Sequence, residues 1–74
     1  MGVMRILDSS GDTKVLWEVD DDEALARAAS LFDELSAEGK LAFERKGSQT
    51  ETSRIREFDP DAEEIIWVRP IQGG

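Results

Sequence analysis

Glu63-Glu64-Ile65-Ile66-Trp67-Val68-Arg69-Pro70-Ile71-Gln72-Gly73-Gly74 is the stretch that decides how the other residues must be arranged. Ile65-Ile66-Trp67-Val68 is apolar at every position. The other strand-like stretches alternate with polar residues, so a run apolar on both faces reads as the central strand of a sheet. Pro70 fixes its own φ and has no N–H to continue a ladder, so the strand stops before it. Gly73 and Gly74 lack a Cβ, and their backbone can lie flat in a channel that any side chain would block. The plain alternative for such a tail is a frayed end.

The rest of the sequence supplies partners for that strand. Val3 to Leu7 predicts a first strand, with either Val3/Leu7 or Met4/Ile6 as its inward pair. Asp8-Ser9-Ser10-Gly11-Asp12 is a cluster of turn formers. Thr13 to Val19 predicts a second strand, with Val15, Trp17 and Val19 on one side and Lys14, Leu16 and Glu18 on the other. The short spacing makes these two an antiparallel hairpin. Asp20-Asp21-Asp22-Glu23 offers capping carboxylates and negative charge to the positive end of a helix. A divalent metal site is the rival use for these acids, though consecutive acids before a helix are ordinary caps. Leu25, Ala28, Leu31, Phe32 and Leu35 recur at helical spacing and form one apolar stripe, with Arg27, Asp33, Glu34 and Glu38 off it. Gly39 closes the helix in a left-handed conformation.

Leu41 to Lys46 predicts a third strand, with Leu41 and Phe43 on one face and set to pack against the helix. Gly47–Ser53 holds no apolar residue and reads as a solvated connection, in which Ser and Thr could also carry a modification. Arg54 to Phe58 predicts a short, charge-rich edge strand. Asp59-Pro60-Asp61 is a turn, and the apolar strand follows. A helix between the second strand and a later one crosses over right-handedly. The last strand can then run parallel to the first at the sheet centre. The predicted fold class is α+β, a mixed four- to five-stranded sheet around one helix.

At 74 residues the chain is one small domain. It has no Cys and no His, which removes the usual zinc ligands, the thiol nucleophile and the commonest general base. A Ser/His/Asp or Cys/His catalytic unit is therefore excluded, and no enzyme activity is expected. The formal net charge of −8 argues against nucleic acid and against an anionic membrane. It suits a partner with a basic docking surface, or simply solubility. No apolar run approaches the length of a membrane span. No signal peptide is evident, and a reducing, cytoplasmic location fits the lack of Cys.

Met4-Arg5-Ile6-Leu7, the turn at Gly11, and Thr13 to Val19 resemble the first hairpin of ubiquitin, and the acidic stretch and helix follow in the same order. The ending from Glu63 to Gly74 is similar to the small sulfur-carrier subunits of molybdopterin synthase and thiamine biosynthesis. Those proteins have an acidic pair, an apolar strand, a proline-containing segment and a terminal Gly-Gly. The resemblance implies the ubiquitin-like β-grasp fold, with a domain over residues 1–70 and a flexible tail over 71–74. It implies a carrier or modifier whose Gly74 carboxylate, presented with Gly73, is adenylated by an activating enzyme that uses Mg-ATP. The carrier itself binds no cofactor. A thioester leading to a lysine amide, or a thiocarboxylate that delivers sulfur, would follow. The partners implied are that adenylating enzyme and either a sulfur-acceptor synthase subunit or an isopeptidase, with the carrier a monomer. Arg69 and the lack of a second arginine near the end depart from both patterns. Register with ubiquitin turns Ile65 and Trp67 inward and Ile66 and Val68 outward. Ile66, Val68, Leu16 and Arg69 are the candidate partner-binding residues. A β-grasp module that only binds, with an incidental tail, is the other reading.

Overall fold

The computed structural model describes residues 1–8, 11–47 and 51–70. Ser9-Ser10, the centre of the Gly47–Ser53 connection and the tail 71–74 lie outside the described residues. The elements are β1 (Gly2–Asp8), β2 (Gly11–Trp17), α1 (Asp22–Ala37), β3 (Leu41–Arg45), β4 (Ser53–Ile55) and β5 (Glu64–Val68). They form an α+β fold of one helix and a mixed five-stranded sheet in the order β2-β1-β5-β3-β4. The apolar run is the central strand, as its composition requires. It runs parallel to β1 and antiparallel to β3.

The helix starts where the acids place it. Asp21 is extended, and its Oδ1 accepts from the N–H groups of Glu23 and Ala24, both at 3.1 Å. Two of the orphan donors of the first turn are thereby satisfied. Gly39 has φ +88°, a conformation that a Cβ disfavours. Its N–H donates to the Ser36 carbonyl at 3.0 Å and that of Lys40 to Leu35 at 3.2 Å, the paired bonds that terminate many helices.

Inside, Met4 and Ile6 settle the inward face of β1, and Val3 and Leu7 face away. Trp17, Trp67, Phe32, Met4 and Ile65 are the largest fully buried side chains. Phe32 meets Trp67 edge-on at 4.7 Å between centroids, and Trp17 meets Phe58 at 5.2 Å. The Trp17 indole N–H donates to the Pro60 carbonyl at 3.1 Å and ties β2 to the turn before β5.

Four expectations are corrected. β3 turns Ala42, not Leu41 or Phe43, toward the helix. Ala42 stands opposite Trp67 in the ladder, and the indole fills the space a larger neighbour would need. β2 begins at Gly11 and ends at Trp17, leaving Val19 52% exposed in the link to α1. The helix stripe includes Ala24, which is buried, while Leu25 and Leu31 are only partly so. β4 is Ser53–Ile55 rather than Arg54 to Phe58. Phe58 leaves the sheet to pack on Trp17 and Phe32.

Candidate functional site

The sheet has one face under the helix and one open. Ile65 and Trp67 point to the helix, and Ile66 and Val68 lie on the open face, as alternation requires. The ladder registers set their neighbours. Lys14, Arg5, Ile66, Phe43 and Arg54 stand opposite one another in a row across all five strands. Leu41 is opposite Val68, and Phe43 is opposite Ile66. Four apolar side chains on β5 and β3 therefore form one strip, each partly exposed. The same pairing that sends Ala42 inward sends Leu41 and Phe43 here. The sequence pattern pointed to the other face, because Leu41 and Phe43 are larger apolar residues than Ala42, whose face also carries Glu44.

Leu16 does not join this strip. It is 58% exposed, but it pairs with Val3 at the opposite end of the sheet. Strand spacing and rise put it roughly 12 Å from Ile66. Arg69 is exposed, in a groove of about 540 Å³ with Glu38, Gly39, Lys40 and Pro70. Gly73 and Gly74 lie outside the described residues.

The charge of the open face differs from that of the chain. Lys14, Arg5, Arg45 and Arg54 face Asp12 and Glu64, a net positive surface on a chain of formal charge −8. Glu64 holds two of these arginines, with Arg5 Nε at 2.8 Å and Arg45 Nε at 3.4 Å. Lys14 and Arg54 make no ion pair among the described residues. A partner on this strip would be met by cations at its flanks, not by the acidic surface that the net charge suggests.

A second charged cluster ties β3 to the Asp59-Pro60-Asp61 turn. Lys46 Nζ lies 2.8 Å from Asp59 Oδ2, and Asp59 Oδ1 accepts from the Asp61 N–H at 2.9 Å. The Lys46 hydrogen bond holds the Asp59 carboxyl below its ordinary range. The same bond raises the Lys46 ammonium. Burial pushes the Glu44 carboxyl up, and the neighbouring Asp59 adds to the rise. This is a structural clasp. Asp21 acts as a cap through the two N–H groups it accepts from, and among the described residues no three carboxylates converge on one point. No helix among them is long and apolar enough to cross a membrane.

Comparison with protein-family models, with curated proteins and with solved structures finds no match.

Proposed function

We propose that the chain is a ubiquitin-like β-grasp carrier or modifier that works through the Gly74 carboxylate and contributes no catalytic side chain. One observation carries this reading. The central strand β5, parallel to β1, presents Ile66 and Val68 on the open face and ends at Val68, two residues before Pro70, after which the sequence runs on through 71–74 to Gly-Gly. The docking strip thus lies on the last strand before the tail in sequence. A partner seated on the strip is positioned to receive the tail, and positioning is all that adenylation asks of the carrier. The partner's Mg-ATP would convert the carboxylate, a poor electrophile, into an acyl adenylate. Sulfur transfer and lysine conjugation are both open downstream, and a cytoplasmic setting suits either.

The binding-only reading is supported by the same strip, which can dock a partner whatever the tail does. Two measurements separate them. Intact-mass spectrometry of the protein from its host is expected to find Gly74 as the last residue, with a fraction as thiocarboxylate or as a lysine adduct. Deleting Gly73-Gly74 is expected to leave the melting temperature unchanged and to abolish ATP–pyrophosphate exchange with the activating enzyme. A truncated protein that supports exchange, or a bare acid under all growth conditions, sinks the carrier reading and leaves the docking module.

A further inference from the structure

We propose that the free edge of β2 pairs with β2 of a second copy of this chain, antiparallel and in a single register that sets Asp12 opposite Lys14 and Thr13 opposite Thr13. β2 is the terminal strand of the sheet, so among the described residues half of its backbone groups have no strand partner. Which half follows from the other side of β1. The Val3 N–H donates to the Glu63 carbonyl at 3.0 Å, so Val3 is turned toward β5. Alternate residues Met4 and Ile6 are then turned toward β2, where their partners are Val15 and Thr13. Asp12, Lys14 and Leu16 are left to aim their N–H and C=O groups at the open edge.

Two-fold pairing of this edge with itself allows only a few registers, because opposed residues must share a face. Centring on Asp12 opposes two aspartates, and centring on Lys14 opposes two lysines. Like charges directly opposite are unfavourable. Centring on Val15 sets Lys14 against Leu16 and pairs no charges, and centring on Leu16 would call on Glu18, which lies past the end of β2. Centring on Thr13 gives two Asp12–Lys14 pairs and a Thr–Thr pair, each of the favourable kind. A lysine on an edge strand ordinarily deters such pairing, and here the register supplies it with a carboxylate. The strand has no proline and no inward-facing charge to oppose extension. The resulting ten-stranded sheet keeps both helices on one side and both docking strips on the other. The two β5 strands stand about 24 Å apart, five strand spacings, with the apolar strip clear of the contact.

Sedimentation velocity over a concentration series, in about 0.15 M salt to screen the net charge, reads the association directly. The wild-type chain is expected to show a monomer–dimer equilibrium. Lys14→Glu and Asp12→Lys each make both charge pairs repulsive and are expected to raise the dissociation constant by about tenfold. The double variant Asp12→Lys/Lys14→Asp reverses both pairs and restores association. Circular dichroism and melting confirm that each variant is folded, since both positions are exposed. Thr13→Cys gives an independent readout in a chain without cysteine. Opposed residues at such a position lie about 4.5 Å apart between Cα atoms, within disulfide reach. It should cross-link rapidly, and Leu16→Cys, whose two copies stand six residues out of step in this register, should not. A wild-type monomer at millimolar concentration, a double variant that stays monomeric, or equal cross-linking at both positions overturns the proposal.

Discussion

Gly2 lies against the Trp17 ring. A Cβ built on it falls inside the Trp17 ring, closest to Cζ2 and Cε2, and the indole cannot swing aside because its N–H is bonded to Pro60. Gly2→Ala is therefore expected to destabilise by about 1–3 kcal/mol through overpacking. In a domain of this size each kcal/mol lowers the melting temperature by roughly 4–8 °C, so a thermal melt decides it. An unchanged melt would mean that Trp17 is free to move. At the clasp, the pH dependence has a sign. Asp59 has a folded value below its unfolded one. Its stabilising share is present above the ordinary carboxylate range and is lost as the pH falls through the folded value. Glu44 has a raised folded value and works oppositely, favouring the fold in acid and losing that share as the pH rises through it. Lys46 loses its share only as the pH rises through its own raised value. Lys46→Met should melt lower than wild type at neutral pH. The gap should close on acidification as Asp59 takes up a proton in both proteins, and a gap that stays constant with pH would assign the loss to something other than this pair.

The helix and the central strand meet through few but large contacts. Phe32 is 1% exposed and packs edge-on against Trp67, so Phe32→Ala is expected to cost about 3–5 kcal/mol in a denaturant melt. Leu31 sits at the margin of the stripe and should cost less, about 1–2 kcal/mol, because solvent already reaches the site. The reverse order of losses would mean that the helix is rotated. On the other face of β5, Ile66→Asp removes the centre of the apolar strip without touching the core. The variant should keep a cooperative melt and lose most of its affinity for the proposed activating enzyme, measured by titration. Affinity equal to wild type would remove the strip from the docking surface. Helix limits were legible because Asp21 and Gly39 act through local backbone geometry. The limits of β2 and β4 were not, since an apolar residue such as Val19 or Phe58 can satisfy its pattern inside or outside a strand.

Across the whole molecule the charge is divided. Asp20 to Glu23, Asp33, Glu34 and Glu38 are exposed along and before the helix, while the open sheet face carries more cations than carboxylates. Composition alone suggested one acidic surface and one basic partner. The strand order instead gathers Arg5, Arg45, Arg54 and Lys14, distant in sequence, onto the face that bears the apolar strip. Binding at that strip should weaken steeply with added salt if the partner answers these cations with carboxylates, and affinity measured between 0.05 and 0.5 M salt tests it. Salt-independent binding would mean the strip acts through apolar contact alone.

What the amino-acid order determined by itself was whatever depends on near neighbours. It placed the helix start at the aspartates and its end at Gly39. It made Ile65-Ile66-Trp67-Val68 central, because a run apolar at every position suits the middle of a sheet better than its edge, while the turning of Ile65 and Trp67 to the helix side came from register with ubiquitin. The tertiary structure decided what depends on register. Sliding a strand by one residue exchanges its two faces, and for β3 the more apolar face, Leu41 and Phe43, was the one turned away from the helix. The size of Trp67 selected Ala42 as its inward neighbour, which put Leu41 and Phe43 beside Ile66 and Val68 and left Leu16 at a far corner. Pairing across strands is a sum over contacts distant in sequence, and no local pattern in this chain carries that sum.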